Sequence, residues 1–154
     1  QVEHPVTEEV TGLDLVVEQL RVASGERLSW RQEAIGQSGA AVEIRAYAED
    51  PDKNFLPSPA TIGAPTLPSG EGIRVESGVE PGSVVSVHYD PLLFKLIARG
   101  RDRDEALARL GAAIAATRVE GVRTTLPFLA RVLEHPDVRR GLLHTQMVDQ
   151  GAFR

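Results

Sequence analysis

No cysteine occurs in the 154 residues, which excludes disulfides and thiolate metal sites and leaves the redox compartment open. No apolar run approaches the roughly 20 residues that a membrane-spanning helix needs, and the opening residues do not read as a secretory signal. Basic runs are missing too, and a net charge of −5 argues against nonspecific binding to nucleic acid. Lysine is scarce: Lys53 and Lys95 are the only two, so positive charge is carried almost wholly by arginine. The chain does not begin with Met, as expected of a processed or truncated chain. What remains is an ordinary globular composition, 42% apolar and 25% charged, with no internal repeat. That is enough chain for one domain with a proper core, or for one domain with an appended piece.

The opening Gln1-Val2-Glu3-His4-Pro5-Val6-Thr7-Glu8 places an amide, a carboxylate and an imidazole within one short stretch. An extended start ending at His4-Pro5 would send Gln1 and Glu3 to one side and Val2 and His4 to the other. Such a segment can hold and deprotonate a small polar substrate; it also reads as a plain polar loop before a helix. Val6 to Thr11 reads as one short turn with Thr7 as a candidate N-cap, broken by Gly12. Asp14 starts a helix in which Leu13, Val16, Val17 and Leu20 form one stripe expected to be buried, with Gly25 ending it. Glu26 to Ser38 is a connection with Leu28, Trp30 and Ile35 as packing points, and a domain boundary is expected near residue 38.

Ala40 to Asp50 alternates strictly, with Val42, Ile44, Ala46 and Ala48 on one side and Glu43, Arg45, Tyr47 and Glu49 on the other. The segment Phe55 to Pro59 is stiff and too rich in proline for a central strand. Thr61 to Leu67 reads as a strand, Ser69 to Gly72 as a hairpin turn, Ile73 to Val79 as its return and Val84 to Tyr89 as another strand. Leu92 to Arg99 is an ambiguous apolar run. Asp102 to Arg118 is a clear helix with Leu107, Leu110, Ala113 and Ile114 inward and acids at its start. Thr125 is placed to cap a helix over Leu126 to Glu134, ended by His135-Pro136, and Asp137 to Gly141 is a turn or short helix. The class is α+β: a small antiparallel sheet with flanking helices.

Several ordered stretches carry a resemblance. QVEHPVTE comes first, then Glu18-Gln19-Leu20-Arg21 with Ala23-x-Gly25, then Glu43-x-Arg45-x-x-Ala48-Glu49-Asp50-Pro51 and Phe55-x-Pro57-Ser58-Pro59. Arg74-x-Glu76-Ser77-Gly78, Tyr89-Asp90-Pro91-Leu92, Lys95-Leu96-Ile97 and Gly121-Val122-Arg123-Thr124-Thr125 follow in order. Together they resemble the carboxyl-terminal third of biotin carboxylases, cut inside the active-site motif, with Thr125 where some members have Asn. The resemblance implies that residues 1–38 are the end of an ATP-grasp region and 39–154 the biotin carboxylase C-terminal domain. Other ATP-grasp ligases, such as carbamoyl phosphate synthetases, lack the octapeptide and the Ala-Glu-Asp-Pro motif.

The resemblance further implies a reaction in which ATP and bicarbonate form carboxyphosphate and the carboxyl group passes to a ureido nitrogen of biotin. Gln1 and the backbone N–H of Val2 would hold bicarbonate, Glu3 would be the base that deprotonates it, and Arg45 would stabilise the biotin enolate. Arg74 and Asp90 fall either near a subunit interface or in a sheet-edge ion pair. Thr145, in a Gly-x-x-x-Thr pattern from Gly141, would approach the adenine pocket. His4, Glu49, Tyr89 and Lys95 are assigned structural roles. ATP with Mg²⁺ or Mn²⁺, and biotin as carried substrate, belong to the full enzyme, whose metal ligands lie upstream; no metal is expected in this piece. Implied partners are the upstream ATP-grasp part of the same subunit, the biotin carboxyl carrier domain, the carboxyltransferase and a second copy in a homodimer. Neither a membrane nor nucleic acid is among them, and the setting is cytoplasmic, or mitochondrial in a eukaryote. Without a Gly-rich phosphate loop or ATP lysines, this polypeptide alone is expected to be inactive. The competing reading is a non-catalytic dimerisation module of a biotin-dependent carboxylase.

Overall fold

The computed structural model describes residues 4–153, so Gln1, Val2 and Glu3 lie outside the described residues. Helix α1, Pro5–Thr11, opens on a proline whose fixed φ suits a first helical position. It therefore starts before the turn expected at Val6, and His4 rather than Thr7 occupies the cap position, without a side-chain cap bond. Gly12, at φ +74°, closes it, its N–H donating to the Glu8 carbonyl at 2.8 Å. Helix α2, Leu15–Ala23, is capped as anticipated by Asp14, whose carboxylate accepts from Val17 N–H at 2.9 Å.

The apolar stripe of α2 is not buried. Val16 is 51% exposed and Leu20 64%, and the buried residue of this helix is Glu18. Among the described residues no element covers that stripe, while the Glu18 carboxylate turns to the following connection. There it accepts from Ser29 Oγ at 2.8 Å and Ser29 N–H at 3.2 Å, and within the helix from Arg21 at 2.7 Å. The Ser29 hydroxyl and amide hold its pKa below the usual carboxylate value.

The strands follow: β1 Ala40–Tyr47, β2 Glu49–Asp50, β3 Leu56–Pro57, β4 Ala60–Thr61, β5 Ile73–Ser77, β6 Val84–Val85 and β7 Leu92–Gly100. The main sheet is antiparallel in the order β1-β7-β5, so the run that was ambiguous in sequence is its central strand. Antiparallel register aligns Val42, Ala98 and Ile73 in one cross-strand row and Ile44, Leu96 and Val75 in the next. The pairing shifts between Ala46, opposite Phe94, and Tyr47, opposite Leu92, so Leu93 is an extra residue in β7. That bulge lets Leu93 and Phe94 both join the main core cluster although they are consecutive.

The hairpin expected across Ser69 to Gly72 does not form. Residues 62–67 are not a strand: only Ala60–Thr61 pairs, with β6, and Thr66 bridges Arg118 instead. Gly63, Pro65 and Pro68 explain this, since proline has no N–H to give a ladder. Nor does Val84 to Tyr89 continue as a strand beyond Val85; Val87 and Tyr89 are exposed.

Helix α3, Arg103–Ala116, is capped by Asp102 and packs Leu107, Leu110, Ala113 and Ile114 on the sheet. At about 1.5–3 kcal/mol for each fully buried Leu or Ile, this face anchors the core. Helix α4, Leu126–Glu134, adds Leu126 and Leu133, and α5, Pro136–Arg140, adds Val138. The tail after Gly141 forms turns held by Met147 and Phe153 in a second cluster with Val138, Phe128 and Val132.

Candidate active site

Period-two alternation turns Glu43, Arg45 and Tyr47 away from the α3 core, onto the opposite face of the sheet. Register carries this face across the strands: Glu43, Ile97 and Arg74 form one row, and Arg45, Lys95 and Glu76 the next. Ile97 is buried yet lies outside the main core cluster, on the side where α1 packs against β1 and β7. This helix contains the second half of the opening octapeptide, Pro5 to Glu8. The chain thus lays the exit of that motif on the sheet face that bears Arg45.

Arg45 is held along its own strand. Its Nε donates to Tyr47 Oη at 2.7 Å, and its guanidinium carbon lies 5.7 Å from the Tyr47 ring centroid. Tyr47 is itself clamped: its N–H donates to Thr125 Oγ1 at 3.0 Å, and Thr125 N–H donates to its carbonyl at 3.1 Å. Thr125 therefore does not use its hydroxyl to cap α4, as its place in the sequence suggested; it adds to the outer edge of β1. Between that edge and α4 runs a groove of about 490 Å³ whose walls include Arg45, Tyr47, Thr125, Phe128 and Val132. A cation on the rim of a largely apolar groove is screened less than one in bulk water, so it interacts more strongly with any negative charge formed beside it.

Lys95 stands opposite Arg45, and two like charges side by side disfavour each other. Glu76 answers this from the next strand, its carboxylate 3.1 Å from Lys95 Nζ and in a short contact with Arg74. Burial pushes the Glu76 pKa up, but hydrogen bonds from Lys95 and Arg74 and their charges bring it below the usual carboxylate value. Arg74 in turn reaches Glu8 at 2.7 Å and Glu9 at 3.5 Å. Burial works against the Arg74 charge, and the bonds to Glu8 and Glu76 outweigh it, so its pKa is raised.

Of the residues singled out in the sequence, the structure does not pair Arg74 with Asp90. Asp90 is exposed and accepts from Leu92 N–H at 2.9 Å. Its neighbour is Glu49, whose pKa is raised by burial and then by the Asp90 charge. His4 is exposed at the start of α1, and Thr145 is exposed in the tail. Gln1, Val2 and Glu3 lie outside the described residues. Lys95, Glu76 and Glu8 were not read as site neighbours: strand register sets Lys95 and Glu76 beside Arg45 and the packing of α1 brings Glu8 to Arg74, whereas Tyr47 shares the strand face of Arg45 by plain alternation. Among the described residues no group of three His, Asp or Glu side chains could hold a metal ion.

Comparison with known proteins decides the family. Residues 43–150 match the family described as the biotin carboxylase C-terminal domain. The chain belongs to that family. Residues 1–31 match the ATP-binding domain of the carbamoyl-phosphate synthase L chain. Biotin carboxylase 1 of Bacillus subtilis is 46% identical over 97% of this chain and 33% of its own length. The mitochondrial methylcrotonoyl-CoA carboxylase subunit alpha of Mus musculus is 44% identical over 97% of this chain and 21% of its own. The biotin carboxylase domain dimer of Hydrogenobacter thermophilus 2-oxoglutarate carboxylase, solved with MgADP, ADP and bicarbonate, superposes with a TM-score of 0.95. It is 40% identical and covers all of this chain and 34% of that one. The chain thus spans about a third of the length of the first of these relatives, and the small antiparallel sheet with flanking helices is the biotin carboxylase C-terminal fold.

Proposed function

We propose that this chain forms the carboxyl-terminal wall of a biotin carboxylase active site, with Arg45 facing biotin and the opening motif facing bicarbonate. The observation that carries the reading is the Tyr47-locked Arg45 on the sheet face where α1 brings in the end of that motif. Glu3 takes the proton from bicarbonate, making it a nucleophile for the γ-phosphate of ATP, while Gln1 and the Val2 N–H orient it. Arg45 lowers the cost of the oxygen charge that forms when a ureido proton leaves biotin, a fixed guanidinium being more effective than solvent. The described residues do not fit a metal site, and no step here runs through one.

A boundary near residue 38 separates the end of an ATP-grasp region from the C-terminal domain; the two family matches, ending at 31 and starting at 43, support it. The exposed stripe Val16, Leu20 and Val22 lies within the first match and suits an upstream ATP-grasp part as its cover. ATP with Mg²⁺ or Mn²⁺, a biotin carrier domain, a carboxyltransferase and a second copy complete the assembly. Its setting is the cytoplasm of a bacterium or the mitochondrion of a eukaryote, in keeping with relatives of both kinds. The isolated chain is inert, because the ATP-binding lysines and phosphate loop of the family are not among its residues. The test is Glu3→Gln in a full-length biotin carboxylase carrying this segment: bicarbonate-dependent ATP cleavage falls by about 10²-fold or more. An unchanged rate refutes the assignment of Glu3.

A further inference from the structure

Glu8 ends the opening octapeptide, and the proposed chemistry gives it nothing to do. In the structure both its oxygens are used. Oε1 accepts the N–H of Leu15, the first residue of α2, at 2.9 Å. Oε2 accepts from Arg74 Nη1 on β5 at 2.7 Å. One largely buried carboxylate thus ties the elbow between α1 and α2 to the sheet. From Arg74 the charges continue through Glu76 to Lys95, which stands opposite Arg45. Every member of this series lies on, or packs against, the sheet face that carries Arg45.

Seven residues of helix are too few to hold an orientation by themselves, so what contacts α1 sets its angle. Those contacts include the packing on β1 and β7, the buried Pro5, the Ser38 N–H donating to the Val10 carbonyl at 2.9 Å, and the Glu8 and Glu9 pairs with Arg74. Apolar contact resists separation but hardly resists rotation. Charge-assisted hydrogen bonds to a planar guanidinium do both, and at a partly buried site they are weakly screened.

We propose that Glu8 and Arg74 form a positioning strut that sets the angle of α1 on the sheet and so the approach of the bicarbonate-binding motif to Arg45. The inference rests on the active-site reading above and adds two positioning residues to it. Neither touches substrate. A stability-only role is the rival.

The test uses a full-length biotin carboxylase carrying this segment, with Glu8→Ala, Glu8→Gln, Arg74→Met and the Glu8→Ala/Arg74→Met double variant. The strut predicts that Glu8→Ala raises the bicarbonate KM about tenfold, as expected for a small misplacement of a reacting group, and spends more ATP per biotin carboxylated. The KM for ATP and the oligomeric state stay as in wild type. Glu8→Gln, which keeps one acceptor but turns an NH2 donor toward the other donor, shows the same profile with a smaller rise. Arg74→Met reproduces the Glu8→Ala profile, and the double variant is no worse than either single one, because both remove the same link. Melting loss without a change in bicarbonate KM or in coupling overturns the strut, as do additive effects or effects that track a change in oligomeric state. If Glu8→Ala fails to fold, Glu8→Gln and Arg74→Met decide alone. Arg45→Ala in the same background separates the two levels. If that variant carboxylates biotin normally, the active-site reading fails; if it does not while Glu8→Ala behaves as wild type, only the strut fails.

Discussion

Replacing Thr125 by Val removes one hydroxyl and leaves the side-chain shape nearly unchanged. Thr125 is 4% exposed, and its Oγ1 is the acceptor for the Tyr47 N–H at 3.0 Å. A buried donor left without a partner costs about 1–3 kcal/mol. For a domain of this size that corresponds to a fall in Tm of roughly 2–10 °C. A lost helix cap would cost a similar amount, about 0.5–2 kcal/mol, so the melting curve cannot separate the two roles. Amide hydrogen exchange can. The structure predicts faster exchange at Tyr47, on the outer edge of β1, with the first turn of α4 at Phe128 unaffected. Exchange that speeds up at Phe128 while Tyr47 stays protected would refute the strand-edge role and restore the capping one. Since Tyr47 Oη also receives Arg45 Nε, the same variant in a full-length enzyme should slow biotin carboxylation.

Gly39→Ala combines an unfavourable φ of +71° with a methyl that would lie 2.4 Å from the Gly100 carbonyl oxygen, at the end of the β1–β7 ladder. A loss of at least about 2 kcal/mol is expected by chemical denaturation. Glu76 and Glu49 should have opposite pH signatures. The Glu76 pKa is lowered in the fold, so its stabilisation is present above the usual carboxylate value of 4.5 and is lost as pH falls through the lower folded value. The Glu49 pKa is raised, so its ionised form destabilises the fold at neutral pH, and this is relieved as pH falls through the raised value toward 4.5. Thermal melts from pH 7 to pH 3 should therefore show Glu76→Gln less stable than wild type at neutral pH with a flatter acid limb, and Glu49→Gln more stable at neutral pH.

The helices were legible where local signals agree. Asp14 and Asp102 cap α2 and α3, and the spacing of Leu107, Leu110, Ala113 and Ile114 gives the buried face of α3. The alternation of β1 placed Arg45 on the correct face for the same reason. The central strand was not legible, because α1 on one side and α3 on the other bury β7 on both faces and leave a continuous apolar run without alternation. A bulge at Leu93 blurs what pattern remains. The misread stripe of α2 has a different cause: amphipathic spacing reports that a face should be covered, not by what. At the site, the link from Thr125 to Tyr47 joins residues 78 apart, and the Lys95–Glu76 and Glu8–Arg74 pairs depend on strand order. No local pattern contains that information.

The central claim is that the sheet face around Arg45 is the biotin side of a carboxylase active site. Its most direct test is Arg45→Ala in a full-length biotin carboxylase carrying this segment, measuring biotin carboxylation and bicarbonate-dependent ATP cleavage in parallel. The account predicts that carboxylation falls by about 10²–10³-fold, as for loss of a preorganised donor at a developing oxyanion, while ATP cleavage persists. Carboxylation at the wild-type rate would contradict it.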